Sequence, residues 1–125
     1  RAWQRCPFGS PLAERDSVRH MVANARIALD QARLLVLHTA WLMDQQGNKA
    51  AHERIQVIKI EVPRTVQKVL DDVMQLFGAA GLSQDTPLAE LFAAARGLRF
   101  ADVPDETHLT ALGRNMLNRV RPEQD

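Results

Sequence analysis

The sequence predicts an all-α fold, an antiparallel four-helix bundle, and three observations carry this prediction. Aromatic residues make up only 5% of the 125 residues, so the core must be built from aliphatic side chains, which suit helix bundles better than sheets. Apolar residues recur at alternating steps of three and four, the period of a helix with one buried face. Gly and Pro cluster between the periodic segments and mark the turns.

The first predicted helix covers residues 12–46 and follows a loop or turn at residues 1–11, which contains two Pro and one Gly. Gly47 and Asn48 form a good C-terminal stop. Residues 34–43 are apolar nearly all round, so they must contact neighbours on several sides, within the fold or across an oligomer interface. The predicted seam of this helix is Val18, Met21, Ala25, Ala28, Ala32, Leu35, Thr39 and Leu42.

The second predicted helix covers residues 49–79 and contains Pro63. Proline removes one backbone donor, so a kink is expected there, but the periodicity continues and predicts no break. The small residues at 78–81 end this helix. Its predicted seam is Ile55, Ile58, Val62, Val66, Val69, Val73 and Phe77.

Two shorter helices complete the predicted bundle. The third is expected to start at Pro87 with Thr86 as its N-cap, and the fourth near Pro104 with acidic residues in its first turn. The bundle domain is predicted to span residues 12–120, followed by a frayed tail at residues 121–125.

Composition and motifs exclude several classes of function. The net charge of +1 gives the chain no overall attraction to nucleic acid, and no apolar run is long enough for a membrane span. The four His lie at no metal-ligand spacing, so no metal site is expected, and there is no P-loop. Cys6 is the single cysteine and cannot form an internal disulfide, which fits a cytoplasmic protein.

Two segments are unusual for a plain bundle. Residues 75–81 end a helix in small residues, which expose the backbone to close approach by another molecule. Residues 99–108 gather ionisable groups around a helix start. Each segment also has an ordinary explanation, a glycine C-cap for the first and acidic N-capping for the second.

Taken in order, five segments resemble the C-terminal domain of the acyl-CoA dehydrogenase family. Residues 5–9 (RCPFG) are similar to the R-x-x-F-G turn of that family, and residues 75–81 (QLFGAAG) to its Q-x-x-G-G-x-G segment. Residues 101–108 (ADVPDETH) resemble the ADGPDEVH signature of one subgroup. The remaining two segments, at 32–44 and 58–63, are similar to the long helices, and the likeness covers about residues 5–117.

The resemblance implies an FAD-dependent oxidoreductase of fatty acid metabolism that dehydrogenates acyl-CoA thioesters. In such enzymes a carboxylate removes the α-proton while a β-hydride passes to flavin N5. By resemblance, Asp102 occupies the position of that base, where many family members carry Glu. Arg5 and Phe8 align with residues that contact FAD across the dimer interface. Gln75, Gly78 and Gly81 align with the backbone that meets the FAD pyrophosphate of the neighbouring subunit.

The resemblance also implies a homo-oligomer, a dimer or tetramer, and further domains that supply much of the flavin and acyl-CoA sites. These 125 residues alone are therefore expected to be inactive. Two departures from the family pattern, Ala79 and Val103, replace glycines, and Val103 would be poorly tolerated if that position needed a positive φ. They support an alternative from another class, a stand-alone helical oligomerisation module that has lost the chemistry.

Overall fold

The computed structural model describes residues 1–122, which contain helices and turns but no strand. Two short 3₁₀ turns, Pro7–Gly9 and Leu12–Glu14, precede the helices. The α-helices are α1 (Asp16–Phe77), the single-turn α2 (Ala79–Leu82), α3 (Leu88–Gly97) and α4 (Asp105–Arg119). The all-α class is confirmed, and α1 supplies two of the four long helical segments because it is interrupted once.

The interruption in α1 lies at Gly47, whose φ of 78° and ψ of 168° are not helical. It divides α1 into a first arm (residues 16–46) and a second arm (residues 48–77). The arms lie side by side and run in opposite directions, since Val36 lines one groove with Ile58, and Met21 lines another with Val69. The stop predicted at Gly47 is therefore where the chain reverses.

The predicted seam of the first arm faces the rest of the fold. Val18, Ala32 and Thr39 are buried, and the other seam positions are at least partly covered. The Thr39 hydroxyl, which has no access to solvent, donates to the Leu35 carbonyl at 2.8 Å. In the second arm the helix runs through the buried Pro63 without a break, because Gly47 is the one residue of α1 with non-helical dihedral angles.

Three predicted boundaries needed correction. The first helix begins at Asp16 because residues 12–14 form a 3₁₀ turn, and the second ends at Phe77 because Gly78 adopts a φ of 64°. Thr86 is not the N-cap of α3; Pro87 is, and the helix begins at Leu88. The Thr86 hydroxyl instead donates to the Ala80 carbonyl at 3.2 Å.

The shorter helices α3 and α4 pack against α1. Asp105 at the start of α4 pairs with Arg64, and Arg119 at its end pairs with Glu53, so α4 runs antiparallel to the second arm. Of the tail predicted at residues 121–125, residues 123–125 lie outside the described part of the chain. Within residues 1–122, no helix is both long and apolar enough to cross a bilayer.

Candidate functional site

The loop between α3 and α4 carries Asp102 at a tight turn. The Val103 N–H donates to the Ala101 carbonyl at 3.1 Å, and Asp102 between them has a φ of 72°. A hydrogen bond from the N–H of residue i+2 to the carbonyl of residue i, with a positive φ at the residue between them, is the pattern of a γ-turn that is rare and strained. The turn leaves the Asp102 side chain exposed.

The positive φ falls on Asp102 and not on Val103. Within residues 1–122, Phe8 and Asp102 are the two non-glycine residues with positive φ. Asp enters the left-handed region more readily than most residues because its short polar side chain can bond locally. Val103 therefore carries no strain of the kind that its β-branched side chain would suffer there, and this departure from the family pattern does not disturb the turn.

The second arm of α1 holds this loop on both sides of Asp102. On the N-terminal side, Lys59 Nζ donates to the Ala101 carbonyl at 3.0 Å. On the C-terminal side, Arg64 Nε donates to Asp105 Oδ2 at 3.0 Å. Arg99 Nε donates to the same Oδ2 at 2.8 Å, so both guanidiniums share one carboxylate oxygen.

The Asp105 carboxylate is almost fully buried, with a residue exposure of 2%. Burial by itself would raise its pKa, but the hydrogen bonds from Arg99 and Arg64, together with their positive charges, outweigh this and lower the pKa below its ordinary value of 3.8. Asp105 is therefore an ionised anchor between the loop and the second arm, placed at a helix N-terminus that also favours negative charge.

A second cluster lies where the 3₁₀ turns meet the end of the second arm. A methyl group built on Gly78 would lie 3.1 Å from Nη1 of Arg5, so the guanidinium rests against the bare backbone of this glycine. Gly78 has a φ of 64° and a ψ of −143°, which a side chain would strain. The structure thus brings together Arg5 and Gly78, two residues of the predicted cofactor site that are far apart in sequence.

Phe8 projects from the same cluster with an exposure of 97%. Its φ of 59° and ψ of 33° are left-handed, and the guanidinium carbon of Arg15 lies 5.7 Å from the centre of its ring. The Arg15 guanidinium also donates to the Pro7 carbonyl at 3.1 Å. An aromatic ring held in a strained conformation and in full contact with solvent is available to a ligand or a partner.

The other residues of the predicted cofactor segment differ in their surroundings. Gln75 is exposed, whereas Gly81 is buried, and a methyl group on Gly81 would lie 2.9 Å from the Met74 carbonyl oxygen. Gly81 is thus required by packing against the end of α1. Ala79, the departure from the family pattern, is exposed and starts α2 with no positive φ, so its backbone tolerates a side chain.

The two clusters are well separated within one chain. Gly78, which follows the last residue of α1, lies 19 positions beyond Lys59, a rise of about 28 Å in helical geometry. No group of three or more potential metal-ligating side chains occurs in residues 1–122. The charged anchors of the Asp102 loop were missed by sequence reasoning, since Lys59 and Arg64 pair with residues about 40 positions away and no local spacing indicates such pairs.

The turn at Asp102 and the cluster at Arg5 and Gly78 fall in the segments that resemble one family, and comparison with known proteins tests that likeness. The sequence pattern described as "Acyl-CoA dehydrogenase, C-terminal domain" matches residues 1–117. The chain belongs to the acyl-CoA dehydrogenase family. The matched part of the family is its helical C-terminal domain, which agrees with the fold found here.

Curated and solved relatives support the same assignment. The chain is 47% identical over 125 residues to acyl-CoA dehydrogenase family member 10 of Mus musculus. The aligned region covers 99% of this chain and 12% of that protein. It is 45% identical over 121 residues to the probable acyl-CoA dehydrogenase FadE2 of Mycobacterium tuberculosis, covering 97% of this chain and 30% of that protein. A solved putative acyl-CoA dehydrogenase from Mycobacterium abscessus superposes with a TM-score of 0.92 at 42% identity, over 96% of this chain and 30% of that one.

A more distant structure shares the fold. Butyryl-CoA dehydrogenase from Megasphaera elsdenii superposes with a TM-score of 0.84 at 25% identity, over 93% of this chain and 30% of that one. The chain therefore spans less than a third of the length of each of these relatives. In all of them the helical domain is one part of a longer dehydrogenase.

Proposed function

We propose that this domain supplies the catalytic base and part of the flavin site of an FAD-dependent acyl-CoA dehydrogenase, in which Asp102 removes the α-proton of an acyl-CoA thioester. The observation that carries the proposal is the turn at Asp102, an exposed carboxylate in a strained conformation that is anchored on both sides. Strain of this kind persists where the surrounding structure over-determines it, which is common at active sites.

The residues near Arg5 and Gly78 fit the phosphate-bearing part of FAD. A guanidinium forms strong paired hydrogen bonds with phosphate oxygens, and a bare glycine backbone allows close approach. Arg5, Phe8, Gln75 and Gly78 would contact the cofactor, while Gly81 would keep the end of the second arm in place. FAD, when bound, would supply the acceptor for the β-hydride.

The separation of the two clusters supports an oligomer. Because about 28 Å of helix lies between Lys59 and Gly78, Asp102 and Arg5 of one chain are suited to serve different active sites. A homodimer or tetramer, with each copy completing the flavin site of another, agrees with this arrangement. A cytoplasmic location stays a prediction from the single cysteine.

The alternative of a stand-alone module is not favoured, since each relative carries this domain within a longer dehydrogenase. Ala79 and Val103 both adopt backbone conformations that accept a side chain, so neither departure from the family pattern strains the backbone of the proposed site. The position expected to carry the base has kept a carboxylate.

The test is the variant Asp102→Asn in the full-length protein. Asn tolerates the left-handed conformation as well as Asp does, so the turn should survive while the base is lost. We expect turnover of acyl-CoA to fall by about 10²- to 10⁴-fold, the usual contribution of a general base, with FAD absorbance unchanged. Asp85→Asn, at another exposed aspartate, is the control and should behave as wild type. Wild-type turnover in Asp102→Asn would exclude Asp102 as the base.

A further inference from the structure

We propose that Lys59 is a positioning residue that sets the direction of Asp102 by holding the Ala101 carbonyl. The inference rests on the proposed function, because it gives Lys59 a role in the reaction through the base. Lys59 lies outside residues 101–108, the segment that resembles the family signature around the base. It is on α1, 42 residues before Ala101. Its Nζ donates a hydrogen bond of 3.0 Å to the loop.

The Ala101 carbonyl controls the orientation of the turn. It accepts one hydrogen bond from the Val103 N–H, which closes the turn, and one from Lys59. Because a peptide unit is planar, fixing this carbonyl also fixes the Asp102 N–H and therefore the start of the Asp102 backbone. The ammonium of Lys59 thus acts on one of the two peptide planes that flank Asp102, and so on the direction from which its side chain leaves the backbone.

The lysine itself is well placed to hold that plane. It sits on the second arm of α1, in a continuous helix. Its side chain lines an apolar groove of about 190 Å³ together with Val62, Pro63 and Leu98. Packing of the methylene stem against such a surface restricts the positions of the charged end.

Lys59 can be separated from the other anchor of the loop. The Arg64–Asp105–Arg99 cluster is buried around Asp105, so its loss would disturb the start of α4 as well as the turn. Lys59, by contrast, reaches the loop from a partly exposed position and donates a hydrogen bond to the Ala101 carbonyl, not to a buried carboxylate. Removing its charge tests the turn without removing a buried ion pair.

The experiment compares Lys59→Met with Lys68→Met in the full-length protein. Methionine keeps an unbranched apolar stem and loses the ammonium. Lys68 lies on the same arm, is exposed and pairs with Asp72, so it controls for the loss of one lysine. Hydrogen exchange is measured by mass spectrometry on a peptide covering residues 99–105, and steady-state kinetics are measured with an acyl-CoA substrate.

In Lys59→Met we expect exchange in the peptide covering residues 99–105 to be about tenfold faster, because the hydrogen bond of the Val103 N–H lies in the released turn. We expect kcat to fall by about 10- to 100-fold, since a small displacement of a reacting group is costly, with KM within about threefold. Lys59→Arg should restore part of kcat, because guanidinium can also donate to the carbonyl. Lys68→Met should match wild type in both measurements.

Two results would overturn the inference. Unchanged exchange in residues 99–105 would show that Lys59 does not hold the turn. If Asp102→Asn inactivates the enzyme but Lys59→Met shows increased exchange with wild-type kcat, the hydrogen bond from Lys59 does not matter for the reaction. A failure of the proposed function is seen separately, as retained turnover in Asp102→Asn, and it would remove the catalytic role of Lys59 as well.

Discussion

Arg99 and Asp105 are joined by two hydrogen bonds that run in opposite directions. Arg99 Nε donates to Asp105 Oδ2 at 2.8 Å, and the Asp105 N–H donates to the Arg99 carbonyl at 3.0 Å. Together they close the loop of residues 99–105 into a ring that contains Asp102. The ring is then fixed to the second arm of α1 through Arg64.

Loss of the Asp105 charge should destabilise the protein. In Asp105→Asn, two guanidiniums lose a shared anionic partner, and a hydrogen bond to a charged group contributes about 1.5–3 kcal/mol. Both arginines are partly exposed and can turn to water, so we expect a loss of about 2 kcal/mol in the free energy of unfolding, measured by urea denaturation.

Glu106→Gln is the matched control for this prediction. Glu106 is the next residue, also lies in the first turn of α4 and is exposed, so its neutralisation should change the free energy of unfolding by less than about 0.5 kcal/mol. Equal effects of the two substitutions would show that the helix N-terminus, and not the arginine pair, accounts for the role of Asp105.

The lowered pKa of Asp105 makes stability depend on pH in a defined direction. A carboxylate with a lower pKa in the folded state stabilises the fold fully above its ordinary pKa of 3.8, and this contribution disappears as the pH falls through the folded-state pKa. We expect the urea midpoint to decline as the pH falls from about 5 to 2. The decline should be shallower in Asp105→Asn, and parallel curves for the two proteins would contradict the assignment.

A side chain at Gly78 should weaken both the fold and flavin retention. Gly78→Ala combines a positive φ with a methyl group placed 3.1 Å from Arg5 Nη1. Backbone strain of this kind costs about 1–3 kcal/mol, so we expect a lower unfolding temperature and earlier release of FAD during gel filtration of the full-length protein.

Gly97→Ala provides the comparison. Gly97 is helical, and a methyl group there meets no atom within 4 Å, so stability should be unchanged or slightly raised. If Gly78→Ala retained FAD as well as Gly97→Ala does, the fit of the Arg5 and Gly78 cluster to the cofactor would be wrong.

An apolar face on the first arm of α1 is expected to lie in an oligomer interface. Leu34, Leu37 and Trp41 follow helical spacing and are 67%, 54% and 54% exposed in the single chain. Trp41→Glu should lower the molar mass measured by light scattering, because a charge buried at an apolar interface is costly. Gln46→Glu, at an exposed position on the opposite side of the same arm, should keep the native mass. An unchanged mass in Trp41→Glu would exclude this face from the interface.

The sequence predicted the helical segments well because their signal is local. The buried face of the first arm follows from apolar periodicity alone, and the reversal at Gly47 from a residue that accepts a positive φ. The N-cap of α3 was wrong because capping depends on tertiary contacts. The Thr86 hydroxyl donates to the Ala80 carbonyl in α2, and the helix begins one residue later, with Pro87 in the cap position.

The candidate site was predictable only in part. Asp102, Arg5 and Gly78 were proposed from motifs, but the left-handed conformation of Asp102 was not predicted, because the family pattern has its glycine at the position of Val103. The contacts of Lys59 with Ala101 and of Arg64 with Asp105 join positions about 40 residues apart. Such pairs arise from the packing of α3 and α4 on α1, and the spacing of residues in the sequence does not predict that packing.

The reversal at Gly47 makes the hairpin of the two arms sensitive to a single dihedral angle. A methyl group at this glycine would meet no atom within 4 Å, so only the φ of 78° opposes a side chain there. Without the reversal, the 62 residues of α1 could form one straight rod of about 93 Å, which helix propensity would favour. Two such rods could then exchange their second arms, so replacement of Gly47 would open a route to domain-swapped dimers.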